Sequence, residues 1–154
     1  MTLSLMPLSQ DQTAWLHDAA SAYFRELVPD RAGPPLQEVT DWFEDPDIYP
    51  LLVSQSDQRV GFALIERTGT HHELSEFCIL PDWRDAGIGT HAATLCFARH
   101  PGRWALGVAK ALPGTIRFWD RLLPSLPAIT RLARGPALTP YQCHSYTFDY
   151  KGAP

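Results

Sequence analysis

Arg84, Gly87 and Gly89 form the pattern Arg-x-x-Gly-x-Gly, whose residue types and spacing suit the binding of phosphate groups. The apolar run at 74–80 predicts a buried strand before the pattern, and residues 90–99 predict a helix after it. The first N–H groups of a helix have no partner inside the helix, and the helix dipole adds partial positive charge at this end. Glycines allow the backbone to approach a ligand closely, and the arginine can add a charge-assisted contact or stack on a flat group.

The loop pattern alone does not select one ligand, because nucleotide and dinucleotide folds use related turns. The dinucleotide fingerprint is absent, since Ala92 stands where its third glycine is expected. The lysine and Ser/Thr pair of the P-loop are absent as well. A turn that needs its glycines only for geometry remains an alternative interpretation.

The composition predicts one folded domain over residues 1–154, with 45% apolar and 19% charged residues. A formal net charge of −4 argues against nucleic acid as a general partner. The odd number of cysteines (Cys78, Cys96 and Cys143) favours reduced thiols. No signal-peptide pattern, membrane-length apolar run or metal-ligand spacing is visible, so we expect a cytoplasmic protein with no membrane partner and no metal.

The hydrophobic patterns predict eleven elements in the order β α α β β β α β α β β. The predicted strands are 2–8, 51–55, 59–67, 74–80, 104–108, 128–133 and 142–150. The first predicted helix is capped by Ser9 or Asp11 and runs to about Leu27, and the other predicted helices are 36–43, 90–99 and 114–123. Three strands in succession predict an antiparallel meander before the glycine loop. The strand after the 90–99 helix predicts a parallel βαβ unit.

The glycine loop, preceded by Ile79, Leu80 and Pro81, resembles the acetyl-CoA loop of the GNAT superfamily of N-acetyltransferases, and the order of elements resembles that fold along almost the whole chain. The resemblance implies an α+β, three-layer fold. Its sheet is expected to be mixed and mostly antiparallel, with about six to seven strands, a central splayed parallel pair and flanking helices.

A second region, Ile116 to Trp119, is similar to the family's Ala-x-x-Phe-Tyr helix but departs from it twice. Ala111 or a neighbour occupies the place of an expected Asn. Trp119 occupies the place of the tyrosine that commonly protonates the leaving thiolate, and an indole cannot do this. Tyr141 or Tyr146 could substitute, the thiolate could leave unassisted, or acetyl transfer could have been lost.

The resemblance implies a coenzyme A site along the central strand and the loop. The pantetheine arm is expected to pair with backbone groups of Cys78, Ile79 and Leu80, and an N–H near Ile79 is the expected oxyanion donor. Core packing is the favoured role for the side chains of Cys78 and Ile79. The remaining expected cofactor-binding residues are the loop positions and one aromatic: Arg84, Asp85, Ala86, Gly87, Ile88, Gly89, Thr90 and Phe118.

An amine acceptor must lose a proton, so a general base is expected. Glu73 lies at the distance from the loop where some family members place this base, and Glu76 lies on the same predicted strand. Burial there would raise a carboxyl pKa toward a useful range. Glu76 has the opposite strand parity and faces the same side only if a bulge shifts the register. Exposed strand carboxylates are an equally acceptable interpretation, and His71 and His72 are expected in the turn before this strand.

An acidic cluster beside three aromatic residues is a weak candidate for attracting a cationic acceptor. It consists of Glu38, Asp41, Glu44, Asp45 and Asp47, with Trp42, Phe43 and Tyr49 as the aromatics. An acidic amphipathic helix exposed to water explains the same residues.

The sequence therefore predicts an acetyl-CoA-dependent N-acetyltransferase that transfers the acetyl group directly to a small-molecule or peptide amine, as a monomer or homodimer. The alternative is a non-catalytic module that binds or senses acyl-CoA. A nucleotide-binding fold with a coincidental loop is a third interpretation.

Overall fold

The computed structural model describes residues 2–30 and 32–152. The strands in this part of the chain are β1 (Leu3–Pro7), β2 (Ile48–Gln55), β3 (Gln58–Thr68), β4 (His71–Ile79), β5 (Gly102–Ala109), β6 (Ile129–Gly135) and β7 (Gln142–Tyr150). The α-helices are α1 (Thr13–Leu27), α2 (Leu36–Glu44), α3 (Ile88–Arg99) and α4 (Pro113–Ser125). Short 3-10 helices lie at Gln10–Gln12 and Pro81–Trp83.

The strands form one sheet in the order β1-β2-β3-β4-β5-β7-β6. Among these described strands β4 and β5 pair in parallel, and the other neighbouring pairs are antiparallel. The predicted mixed, mostly antiparallel sheet with a central parallel pair is therefore confirmed. Its parallel pair arises because α3 returns the chain to the same end of the sheet before β5 begins.

The β2–β3 hairpin shows how local sequence sets the meander. Ser56 and Asp57 both adopt positive φ, 49° and 67°, and two such residues in a two-residue loop match the twist of the flanking strands. Asp tolerates this conformation better than most residues with a Cβ. The next turn, between β3 and β4, contains Gly69 at φ 60°.

The sheet separates two layers of helices, and each layer has its own apolar core. On one face α3 and α4 pack against the strands around Phe97, Trp104 and Phe148, which are fully buried. On the other face α1 and α2 contribute Leu16 and Val39, also fully buried. Truncating one of these three aromatic residues to alanine would lower the free energy of unfolding by about 3–5 kcal/mol.

Several predicted boundaries move by a few residues. β4 begins at His71, because His71 and His72 pair with Thr68 and Arg67 of β3, so their expected place in a turn is wrong. α3 begins at Ile88, two residues earlier than predicted. Within the described ranges, no helix has both the length and the apolar character needed to cross a membrane.

Candidate active site

The two parallel strands separate soon after they meet. Their pairing consists of His72 with Trp104 and Glu73 with Ala105. Immediately beyond, Ser75 is an extra residue in β4, since Leu64 of β3 pairs with Glu76 while the next residue pairs with Leu74. A bulge of this kind bends a strand and increases its twist. The result is a gap between β4 and β5 where a sheet would otherwise be continuous.

The gap opens into a cleft of about 490 Å³, lined by the end of α1, β4, the glycine loop, β5 and the start of α4. Eight of the predicted cofactor-binding residues line it: Cys78, Ile79, Arg84, Asp85, Gly87, Gly89, Thr90 and Phe118. Leu80, Ala86 and Ile88 are next to cleft-lining residues in the sequence but do not line the cleft themselves. Ile88 is buried in a small core cluster. The two predicted bases, Glu73 and Glu76, do not line it either.

Backbone groups of β4 point into this cleft. The Leu80 N–H donates to the Val60 carbonyl at 2.8 Å, so it is not available to pair with a ligand. Because the backbone groups of an antiparallel strand alternate in direction, those of Cys78 also turn to β3, and those of Phe77 and Ile79 turn to the cleft. Of the three residues predicted to pair with a pantetheine arm, only Ile79 has this orientation, and its carbonyl already accepts from Arg84. Phe77 shares the orientation, and its backbone hydrogen-bonds the Tyr23 hydroxyl.

The glycine loop presents backbone donors at the other end of the cleft. Gly87 has φ 79°, a left-handed conformation that glycine adopts without strain, and it begins α3 without a side-chain cap. The N–H groups of Ile88, Gly89 and Thr90 therefore have no helical or capping partner. A Cβ at Gly89 would lie 3.2 Å from the Phe118 ring, so glycine here also allows α3 and α4 to approach each other.

Arg84, predicted to contact the cofactor, is paired with groups of the protein itself. Its guanidinium makes two hydrogen bonds of 2.8 Å to the carboxylate of Glu26, and its Nε donates to the Ile79 carbonyl at 2.7 Å. The hydrogen bonds from Arg84 hold the pKa of Glu26 below its usual range. Arg84 therefore ties the loop to the end of α1 and to β4. In this arrangement it does not contribute its charge to the start of α3.

A shallower groove of about 480 Å³ lies beside the loop and α4. Asp85, Thr90 and Phe118 border both it and the main cleft. Arg117 and Arg121 of α4 add two positive charges to its wall. Positive charge and free backbone donors together suit a polyphosphate group.

Glu76 and Tyr23 form a polar pair at the cleft. Tyr23 lines the cleft, and its hydroxyl donates to Oε1 of Glu76 at 3.2 Å. Burial raises the pKa of the Glu76 carboxyl to about 8, with a further increase from the charge of Glu73, while the bond from Tyr23 lowers it. Burial also holds the pKa of Tyr23 well above its usual value, and the Phe77 backbone hydrogen-bonds the same hydroxyl.

Glu73 faces the same side of the sheet as Glu76, although the two differ in parity. Their partners on β3, Glu66 and Leu64, are two residues apart and so share a face. The Ser75 bulge is the register shift that makes this possible. Burial and the charge of Glu66 raise the pKa of Glu73, but this residue lies where β4 and β5 are still paired, below the opening of the cleft.

The sequence did not reveal that the hydroxyl of Tyr23 belongs to the site. Its helical spacing indicated only that Tyr23 lies on the buried face of a helix. A buried tyrosine usually finds a partner for its hydroxyl, and this was the available signal. The partner is 53 residues away in the chain, so its identity was not readable from the pattern.

The tyrosines considered as substitutes at the Trp119 position do not line the cleft. Trp119 itself does, and it packs against Phe77 and Phe118 with ring centroids 5.4 and 4.7 Å apart. The Tyr146 hydroxyl donates to Asp120 at 2.6 Å. Tyr141 lies on the surface, 41% exposed. Neither is placed to act in the cleft.

The acidic cluster lies outside the cleft, and the structure adds no support for an acceptor site there. None of its carboxylates or aromatics lines the cleft. Trp42 is buried in the core beneath α2, and Asp47 pairs with Arg67 at 2.7 Å. Tyr49 packs against His100. The sequence brought these residues close along the chain, but the helix and strand that carry them turn them in different directions.

Comparisons with known proteins agree with this architecture. The sequence profile described as the acetyltransferase (GNAT) family matches residues 14–123. No curated protein matches the sequence significantly. An acetyltransferase from Thermus thermophilus is similar over 96% of each chain, with a TM-score of 0.69 and 19% identity.

Two further solved structures carry ligands. The PaiA N-acetyltransferase from Thermoplasma acidophilum, in complex with coenzyme A, is similar over 97% of this chain and 100% of its own, with a TM-score of 0.71 and 12% identity. Spermidine N-acetyltransferase from Vibrio cholerae, in complex with coenzyme A and spermine, is similar over 97% of this chain and 95% of its own, with a TM-score of 0.69 and 11% identity. At these identities the likeness shows the fold.

Proposed function

The chain belongs to the acetyltransferase (GNAT) family, and on this basis we propose that it transfers an acetyl group from acetyl-CoA directly to the nitrogen of an amine. The observation that carries the proposal is the cleft between β4 and β5. It has unpaired backbone donors at the start of α3 and, on the side of α1, the phenol of Tyr23, which lines the cleft and bonds to the Glu76 carboxyl behind it. Binding of a phosphate-bearing carrier and removal of a proton are the two tasks that the reaction requires.

The residues of the cleft fit coenzyme A. The backbone N–H groups of Ile88, Gly89 and Thr90 are free to bind the pyrophosphate, and Arg117 and Arg121 supply positive charge nearby. Acetyl-CoA supplies an acetyl group that is already activated as a thioester. The protein therefore has to hold the two reactants together and polarise the carbonyl.

The outward-facing backbone of β4 is the proposed means of alignment. The backbone of Ile79 and Phe77 faces the cleft, which supports the assignment of an N–H in this segment, that of Ile79, as the oxyanion donor. Asp85, Ala86 and Gly87 place the loop close to the ligand, and Phe118 covers it from α4. The Cys78 side chain is buried among apolar groups, so we assign it packing and no covalent role.

Glu76 is the proposed general base, and Tyr23 connects it to the cleft. A proton leaves the amine nitrogen for the Tyr23 oxygen while Tyr23 gives its own proton to Oε1 of Glu76. With a carboxyl pKa of about 8, Glu76 is a strong base in its ionised form, and the fraction of the protein that carries this form grows as the pH rises toward 8. The tyrosine remains protonated between turnovers, because its pKa is raised well above the ordinary value. Glu73 contributes through its charge, which raises the pKa of Glu76.

The acceptor is proposed to be a small-molecule or peptide amine that is cationic in solution. Arg84 balances the charge of Glu26 at the α1 side of the cleft. Support for a cationic ligand therefore comes from Glu76 behind Tyr23, which gains its negative charge as the pH rises toward about 8. Spermine in the Vibrio cholerae structure is an example of such an amine in a protein of the same fold. Spermine, an aminoglycoside and short peptides with a free N-terminus therefore form a reasonable first panel.

A non-catalytic acyl-CoA-binding module is the second candidate, and Trp119 favours it. This residue is buried with 5% exposure and has no ionisable hydroxyl, and among the described residues Tyr23 is the one tyrosine that lines the cleft. If Tyr23 is committed to Glu76, the thiolate must leave without an acid. A module that binds acyl-CoA without turnover needs no such acid.

Thiol release from acetyl-CoA, measured against the amine panel, tests the proposal. We expect turnover with at least one amine, and we expect Glu76→Gln and Tyr23→Phe each to lower kcat by about 10²-fold or more with little change in coenzyme A affinity. Glu44→Gln, on the exposed side of α2, is the matched control and should leave kcat unchanged. Tight binding of coenzyme A with no turnover across the panel would favour the second candidate. Failure to bind coenzyme A at all would exclude both.

A further inference from the structure

A second cluster of reactive side chains lies outside the cleft, where α4 packs against β7. His144 is at its centre, with 13% of its side chain exposed. Its Nε2 lies 3.1 Å from Oδ1 of Asp120, and its Nδ1 lies 3.2 Å from Sγ of Cys143. None of the three lines the cleft or the groove beside it.

The protein fold brings these three residues together through a second bulge. In the β5–β7 ladder Val108 pairs with His144 while Ala109 pairs with Gln142, so Cys143 is an unpaired extra residue. Neighbours in a regular strand point to opposite faces, and the bulge releases Cys143 from this rule. Its thiol can therefore contact the ring of the very next residue and still reach solvent, where it is exposed.

The hydrogen bonds define the role of each group. Asp120 is kept ionised, since the bonds from Tyr146 and His144 and the charge of Arg134 lower the pKa of its carboxyl. A carboxylate on Nε2 fixes the tautomer in which Nε2 carries the hydrogen and Nδ1 accepts one. The Cys143 thiol is then the donor to Nδ1, which is closer to it than its other acceptor, the Val108 carbonyl at 3.5 Å. A thiol, a base that faces it and a carboxylate that orients the base form the arrangement of an activated nucleophile.

We propose that Cys143, His144 and Asp120 form a thiol–disulfide exchange site that takes up low-molecular-weight disulfides such as glutathione disulfide. His144 Nδ1 receives the proton of the thiol as Sγ bonds to one sulfur of the disulfide. The disulfide bond breaks, and its electrons leave on the second sulfur, which takes the proton from the imidazolium and departs as a thiol. The products are one mixed disulfide on Cys143 and one free thiol, and no other oxidant is required.

The surroundings favour a disulfide over a thioester as the partner. Attack on a thioester builds an oxyanion that needs donors aimed at it, whereas disulfide exchange places charge only on sulfur. The polar neighbours of the triad already donate within the cluster: Tyr146 donates to Asp120, and Arg134 donates to Tyr146. An exposed thiol on open surface also suits a small, flexible reagent.

The other two cysteines are internal controls. Cys78 and Cys96 are buried, and burial raises the pKa of their thiols to about 11 and about 12. Reaction of the folded protein with 5,5′-dithiobis(2-nitrobenzoate) is therefore expected to release one equivalent quickly. Cys143→Ser should remove this phase, and mass spectrometry should find a single glutathionyl adduct on Cys143 after treatment with glutathione disulfide.

Rate measurements at pH 7 separate activation from mere exposure. We expect Cys143 in the folded protein to react about tenfold or more faster than the average thiol of the urea-unfolded chain, and His144→Gln to remove this advantage. Asp120→Asn should slow the reaction, and Asp120→Glu, which keeps the carboxylate, should restore part of the rate. His91→Gln, at an exposed position on α3, is the matched histidine control and should react like wild type.

Equal rates for the folded and unfolded protein would overturn the proposal, and this comparison needs no variant. A His144→Gln rate within twofold of wild type would overturn it as well. Acetyl-CoA supplied alone provides the competing electrophile. Faster S-acetylation than S-thiolation of Cys143 would refute the assignment to disulfides.

Discussion

Replacement of Glu76 by Gln should change how the stability of the protein depends on pH. The folded protein holds the pKa of this carboxyl at about 8, against an ordinary value of 4.5. The folded state therefore binds the proton more tightly than the unfolded state does. The resulting stability is fully present below about pH 4.5 and is lost as the pH rises toward about 8.

The size of the effect follows from the two pKa values. At about 1.36 kcal/mol for each pH unit between them, ionisation of Glu76 costs the folded protein at most about 5 kcal/mol. The side chain is half-buried and keeps its bond from Tyr23. We therefore expect ionisation of Glu76 to lower the free energy of unfolding by about 2–5 kcal/mol. The amide in Glu76→Gln would be uncharged and would retain an oxygen that accepts from the tyrosine.

Urea unfolding, followed by tryptophan fluorescence from about pH 5 to about pH 9, measures this dependence. The free energy of unfolding of wild type should fall with pH relative to that of Glu76→Gln, and the variant should be the more stable protein at pH 9. His72 and His100, whose pKa values are lowered by burial, are present in both proteins, so their titration cancels in the difference. Glu44→Gln makes the same chemical change at an exposed position and should run parallel to wild type. Parallel curves for Glu76→Gln would refute the reasoning.

Three further outcomes follow from the site. Gly87→Val should weaken coenzyme A binding at least about tenfold, as measured by calorimetry. The control is Gly69→Val, which has a similar positive φ and open space around its Cβ; it should strain a distant turn and leave binding intact. Equal effects of the two substitutions on binding would refute the loop assignment. Arg84→Gln and Glu26→Gln should each destabilise the fold by about 1 kcal/mol or less, because the pair is about a third exposed. The double variant should be little less stable than either single variant. If the two losses of stability add up in urea unfolding, the residues do not interact directly. The value of kcat should rise with pH and level above about pH 8 as Glu76 ionises; a pH-independent rate across this range would remove Glu76 as the base.

Part of the cleft could be predicted because its parts are contiguous in the chain. The strand, the loop with Gly87 and Gly89, and the helix after it follow one another within about thirty residues. The left-handed φ of Gly87 and the free N–H groups behind it depend only on local backbone geometry. The order of elements was similarly readable, since each strand or helix is marked by its own hydrophobic period.

The partners of the charged residues could not be predicted in this way. Arg84 carries the right charge for a phosphate, yet the structure places it on Glu26, 58 residues away. The acidic cluster around α2 suggested an acceptor site, yet Trp42 is a core residue there. In both cases the chemical type of the residue was informative, but the direction of its side chain depends on elements packed from elsewhere.

The order of the elements, the glycine loop and the family can be read from the amino-acid sequence, because these depend on neighbours along the chain. The contacts of Tyr23 with Glu76 and of Cys143 with His144 exist only once the chain is folded. Each of these contacts depends on a single extra residue in a strand, at Ser75 and at Cys143. A shift of one residue reverses which face every following side chain takes, and the position of such a shift is set by how whole strands and helices pack.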